Sequence, residues 1–227
     1  MKNLLYVFSA FSNINLYKNK DSEGLKYVLC FLPLVGAFSG FVIGLWCYFG
    51  AEMGFGPYLR GSGGAVIAAV ILGNRHFGAV TDIWDKLKYI CILIYVVVLW
   101  RVFSCENMRY VYFACSVFTI SRVMMILLLN GSSNIAEGIY KLCYENGNRV
   151  VLALVTVVWL MMSVSFAEMM SLPCFFGAFI IISVITFLFH SKVLKEKGIT
   201  DSDLNLYIVL CEFAVFTEII LISMIKP

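Results

Sequence analysis

The sequence predicts an all-α fold: a polytopic helical membrane protein with about seven transmembrane helices behind a short N-terminal helix. Three observations predict it. Of 227 residues, 61% are hydrophobic and only 14% charged, against roughly 45–50% and about 25% in soluble domains. The mean hydropathy is +0.90. The apolar residues also fall in long runs separated by short polar stretches. A water-soluble chain of 25.6 kDa would have to spread that apolar surplus over its outside, so the solvent is lipid. This excludes a soluble globular enzyme, a disordered chain and a disulfide-stapled secreted domain, and leaves one integral-membrane domain over 1–227.

In chain order, residues 1–16 carry Leu4, Leu5, Val7, Phe8, Phe11, Ile14 and Leu16 at mixed helical spacing before meeting Lys18, Lys20, Asp21 and Glu23. That pattern suits an interfacial or short inserted helix. Crossing the hydrocarbon core takes about 20 apolar residues, and the expected spans are 27–53, 63–80, 89–104, 110–130, 149–168, 172–189 and 204–224. The second and third are short. Between them are expected a glycine-rich turn at 54–64, a polar knot at 82–88, a polar loop at 131–148 and a charged loop at 191–203.

Basic residues set the expected orientation, because cytoplasmic loops collect Lys and Arg. With the N-terminus inside, the cytoplasmic side carries twelve: Lys2, Lys18, Lys20, Lys26, Arg75, Lys86, Lys88, Lys141, Arg149, Lys192, Lys195 and Lys197. The opposite side carries four, Arg60, Arg101, Arg109 and Lys226, and Arg122 lies inside the fourth span. The expected location is therefore the cell (inner) membrane, with the polar loops around Asp82 and Asp201 together on the cytoplasmic face.

A net charge of +3 with no basic cluster argues against nucleic acid as a partner. Eight cysteines with no CxxC pair read as small packing residues rather than a disulfide or zinc framework. No internal repeat, glycine-rich phosphate loop or recurring pair of broken helices of the transporter kind is visible.

Ionisable groups at the edge of an apolar run are costly and therefore point to function. The densest set runs from Ile71 to Asp85. If it stays helical, Asn74, Thr81, Asp82 and Asp85 share an arc of about 100°. Two carboxylates three residues apart suit Mg²⁺, which keeps water and substrate phosphate in its other positions. The competing reading is that they close a helix end beside Lys86 and Lys88. His76 reads either as an interfacial imidazole or as a proton carrier near phosphate. His190 reads as a helix-end residue. A second set, Thr200, Asp201, Ser202 and Asp203, reads as a helix N-cap or as an element facing a metal-bridged phosphate. Glu212 follows roughly 12 Å along the helix from Leu204, too deep for free solvation. Arg122 is its expected buried partner, or else a pyrophosphate contact. Glu52, Glu168 and Glu218 are expected near the outward interface.

The stretch Gly73-Asn74-Arg75-His76-Phe77-Gly78-Ala79-Val80-Thr81-Asp82-Ile83-Trp84-Asp85 resembles the acidic signature of adenosylcobinamide-GDP ribazoletransferase, with His76, Asp82 and Asp85 on matching positions. Leu32-Pro33-Leu34-Val35-Gly36 with Gly40 is similar to that family's first long helix, Ser121-Arg122 to its mid-chain arginine, and Gly198-Ile199-Thr200 with Glu212 to its late element. The similarity follows the family's order over nearly the whole chain. It implies a Mg²⁺-dependent membrane enzyme that joins GDP-activated cobinamide to α-ribazole or its 5'-phosphate and releases GMP. Asp82 and Asp85 would hold Mg²⁺, His76 would lie near the phosphates, Arg122 against developing negative charge, and Glu212 would complete or orient the metal shell. The chain departs from the pattern where the family's first aspartate falls on Gly78, for which Asp201 or water would substitute. It departs again where Asp201 and Ser202 replace a glycine–aspartate pair, and where Asp85-Lys86-Leu87-Lys88 runs on without the family's basic loop. These departures define the alternative, a non-catalytic relative acting as membrane scaffold or corrinoid-binding protein. Oligomeric state is left open.

Overall fold

The computed structural model describes residues 2–12, 27–83, 88–130, 138–168, 172–193 and 199–225, with backbone alone at 2, 74–83, 88, 164, 166–168, 172–175 and 190–193. Among the described residues there are nine helices: α1 (Lys2–Phe11), α2 (Val28–Glu52), α3 (Pro57–Ile83), α4 (Lys88–Phe103), α5 (Met108–Asn130), α6 (Ile139–Glu145), α7 (Arg149–Glu168), α8 (Leu172–Val193) and α9 (Asp201–Ile225). The all-helical expectation holds. Three helices, α2, α5 and α9, are long and apolar enough to cross a bilayer, and a fourth crossing results if α6 and α7, bent by 110° at their junction, form one broken span.

The expected count of about seven crossings is not confirmed among the described residues. Pro57–Gly73, Tyr89–Phe103 and Phe176–Phe189 are apolar but shorter than a full crossing. For α3 the reason is a break at Gly73, where φ is 62° and ψ −162°, a backbone conformation open essentially to glycine alone. The second expected span is therefore split, and the acidic stretch begins a separate helical piece after the break.

The expected glycine-rich turn at 54–64 is also shorter than anticipated, since helix α3 already starts at Pro57. Proline suits a first helical position. The glycines beyond it are contact faces. A Cβ on Gly61 would collide with Ser104 and one on Gly63 with Trp46, while one on Gly64 would press on Phe103 at 3.2 Å. In lipid, small residues at such positions let helices approach and gain van der Waals contact.

Helix α5 is central. Sixteen of its residues are buried, as expected of a helix apolar on all sides, and it touches α2, α4, α7, α8 and α9. Its contact with α2 is the closest in character: a Cβ on Gly36 would run into the carbonyl of Phe118, and one on Gly40 into that of Cys115. Helix α1 lies along α2, with Val7 fully buried, Phe8 edge-on to Phe38 at 5.3 Å and Phe11 against Tyr140 at 5.0 Å.

Two ends of the bundle follow from these contacts. At one, Trp46 Nε1 donates to the carbonyl of Arg60 at 3.0 Å, Tyr58 stacks on Trp100 at 5.7 Å, and Cys105 Sγ lies 3.7 Å from Ser223 Oγ. At the other, α1, α6 and the start of α9 meet, where Tyr140 OH donates to Asn205 Oδ1 at 3.0 Å. The C-terminal ends of α2, α4 and α9 therefore share one end with the N-terminal ends of α3 and α5, an up-and-down arrangement.

Candidate functional site

Arg122 and Glu212 face each other in the interior, 3% and 0% exposed, with Nη1 2.9 Å from Oε1. Their neighbours complete a cluster. Tyr95 OH donates to Glu212 Oε2 at 2.7 Å, Ser121 Oγ lies 2.9 Å from Oε1, and Arg122 Nη1 also donates to the carbonyl of Phe118. Three helices are tied together: α4 through Tyr95, α5 through Ser121 and Arg122, α9 through Glu212. A buried charge pair recovers its desolvation only when the remaining lone pairs and protons find partners, and here hydrogen bonds reach both carboxylate oxygens. The pairing expected from the sequence for Glu212 is the one found.

Toward the α1–α6 end, Arg122 also lines a small cavity of about 40 Å³ with Phe11, Leu32, Tyr140, Asp201 and Asn205 among its walls. That is room for about one or two waters. Asp201 is committed on one side: its carboxylate accepts from the backbone N–H of Ile139 at 2.7 Å and of Tyr140 at 3.2 Å, closing the start of α6. Gly138 makes this approach feasible, because a Cβ there would strike the Asp201 carboxylate. The cap of α9 itself comes from Thr200 and Asp203. Thr200 N donates to Asp203 Oδ2 at 2.9 Å, and Asp203 N donates back to Thr200 Oγ1 at 3.2 Å, a reciprocal capping box.

Asp201 and Glu212 do not come together. They are eleven residues apart on α9, about 16 Å at 1.5 Å per residue, and each serves different partners. No group of three or more His, Cys, Asp or Glu side chains fit to hold a metal exists among the described residues. His76 and Asp82 lie on the helical backbone that follows Gly73, with side chains outside the described set, as is that of His190; Asp85 is wholly outside the described residues.

No family model, curated protein or solved structure matches the chain.

Two participants, Tyr95 and Tyr140, escaped the sequence reading, and Asn205 closed the second set without a role of its own. Tyr95 sits in an apolar run as one aromatic among many, and only the depth of its hydroxyl beside Glu212 distinguishes it. Tyr140 and Asn205 come together through α6, a seven-residue helix inside the stretch expected to be loop. A second, larger cavity of about 490 Å³ lies between α2, α5 and α7. Among the described residues its walls carry no Asp, Glu, Lys, Arg or His; they are mostly apolar, with the hydroxyls of Tyr48, Tyr112, Ser116, Thr119 and Ser163 and the Cys115 thiol. Glu218 packs beside Gly177 of α8, with Oε2 buried and lacking a hydrogen-bond partner among the described residues.

Proposed function

We propose that this protein is an integral-membrane transferase of the kind that adenosylcobinamide-GDP ribazoletransferase exemplifies, joining GDP-activated cobinamide to α-ribazole or its 5'-phosphate with release of GMP. One observation carries the reading: Leu32 and Arg122, from two separate segments of the resemblance, line one small cavity together with Asp201, which stands beside the third at a position where the chain departs from the family's pattern. Gly36 and Gly40 of the first of those segments set the α2–α5 contact on which the position of Arg122 depends.

In this reading the cavity of about 40 Å³, which itself admits only water, borders the phosphate site, and Arg122 at its wall faces the negative charge that builds on a pyrophosphate under attack. A guanidinium held in place before the reaction needs no reorganisation at that moment. Glu212, Tyr95 and Ser121 position it. The described carboxylates do not fit Mg²⁺ as a shared shell, because Asp201 is spent on α6 and Glu212 on Arg122. Mg²⁺, which would neutralise phosphate charge, falls to Asp82 and Asp85, and the cytoplasmic face is the side the basic residues favour.

The test is GMP release from GDP-cobinamide and α-ribazole by the purified full chain with Mg²⁺. Turnover is expected, with Asp82→Ala and Asp85→Ala each lowering it about a hundredfold or more. The engagement of Asp201 and Glu212 in structural bonds favours a second reading, a non-catalytic relative that binds a corrinoid. Folded protein that retains cobinamide but releases no GMP decides for it.

A further inference from the structure

At the end of the bundle away from Arg122, a cavity of about 320 Å³ is enclosed by the first turn of α3, the last turn of α4, the 104–107 connection, the start of α5 and the end of α9. Its lining is chemically two-sided. Arg101 and Glu106 both contribute to it, and neither is paired with an opposite charge among the described residues. Burial pushes the Cys105 thiol up from its ordinary value, and the Ser223 hydroxyl and then the Arg101 charge pull against that rise.

The hydroxyls beside these charges have a defined polarity. Ser104 Oγ donates to the carbonyl of Trp100 at 2.7 Å, and Ser223 Oγ to that of Ile220 at 2.8 Å. With their protons so committed, Ser104 Oγ keeps its lone pairs to offer, while Ser223 Oγ, which already accepts from the Cys105 thiol at 3.7 Å, keeps one. Asn107 is the reverse case. Its Oδ1 accepts from Arg109 N at 3.0 Å, leaving its amide protons to donate. The cavity thus combines a cation with an amide donor, and a carboxylate with two hydroxyl acceptors. It sits where long apolar helices end, beside Tyr58, which is 68% exposed and stacked on Trp100, and such aromatic residues gather at headgroup depth.

We propose that this cavity binds the phosphoethanolamine headgroup of a membrane phospholipid, with the phosphate on Arg101 and Asn107 and the primary ammonium on Glu106 and the oxygens of Ser104 and Ser223. The three N–H donors of a primary ammonium match the three acceptors. A quaternary choline has no N–H to give, and a glycerol headgroup brings no charge for Glu106. Fixed polar groups of this kind are how a membrane protein tells one headgroup from another.

The experiment is native mass spectrometry of the purified full chain in detergent with equal amounts of short-chain phosphatidylethanolamine, phosphatidylcholine and phosphatidylglycerol. The expected result is retention of one phosphatidylethanolamine with at least about tenfold preference, abolished by Arg101→Gln and by Glu106→Gln. Soluble phosphoethanolamine should displace the retained lipid. Equal retention of the three lipids, or a preference that survives both substitutions, overturns the proposal. So does phosphoethanolamine binding without lipid retention, which would assign the site to a soluble ligand. Glu106 is exposed, so Glu106→Gln folds on the same backbone and decides the matter even where Arg101→Gln does not.

Discussion

Glu212 has to be understood through what its removal leaves behind. Taking away Arg122 strands a buried carboxylate, and taking away Glu212 strands a buried guanidinium. Breaking such a pair from one side costs about 3–5 kcal/mol. Arg122→Met and Glu212→Met are each expected to lower thermal stability in detergent by that order, and the double variant by clearly less than their sum. Tyr95→Phe leaves Oε2 without its 2.7 Å donor and should cost about 1–3 kcal/mol. A double-mutant cycle on unfolding midpoints checks all of these; additivity would show that the pair is not coupled. This pairing was legible in the sequence because a carboxylate and a guanidinium, each deep in its own apolar run, have few other partners in lipid. The third member was not, because a tyrosine among aromatics gives no sign of where its hydroxyl points.

The α2–α5 contact decides where Arg122 stands. Gly36 and Gly40 lie against carbonyls of α5, whereas a Cβ on Gly44 would meet only Cys115 Sγ at 3.6 Å. Gly36→Ala and Gly40→Ala are therefore expected to destabilise by about 1–3 kcal/mol through overpacking, while Gly44→Ala changes the unfolding midpoint little. Equal effects at all three positions would mean that helix propensity rather than close approach governs this face. Helix boundaries were only partly legible. The span expected at 149–168 coincides with α7, since a continuous apolar run marks its own ends. The turn expected at 54–64 shrank because glycine signals both flexible backbone and tight helix contact, and sequence alone does not separate the two. Helix α6 was missed because its start is closed by Asp201, 62 residues away in sequence from the Ile139 N–H it binds.

Across the whole molecule, Met53 belongs to one end of the bundle and Asn146 to the other, and both are exposed. The twelve-to-four division of basic residues predicts that the Asn146 end faces the cytoplasm. A cysteine replacing Met53 should react with a membrane-impermeant maleimide in intact cells, and one replacing Asn146 only after permeabilisation. The opposite pattern would invert the molecule and move the Arg122 cavity to the outer face. That orientation also places the cavity lined by Arg101 and Glu106 and the one lined by Arg122 toward opposite leaflets.

The sequence by itself determined the solvent and the helical class and made Arg122 the expected partner of Glu212, because the cost of charge and unpaired backbone in hydrocarbon leaves few alternatives. Only the tertiary structure decided that α3 breaks at Gly73, that Asp201 belongs to α6 rather than to Glu212, and that Arg101 and Glu106 share a cavity without touching. Those outcomes depend on which helix faces lie within a few ångströms of one another, and packing between distant segments leaves no periodic trace in the chain.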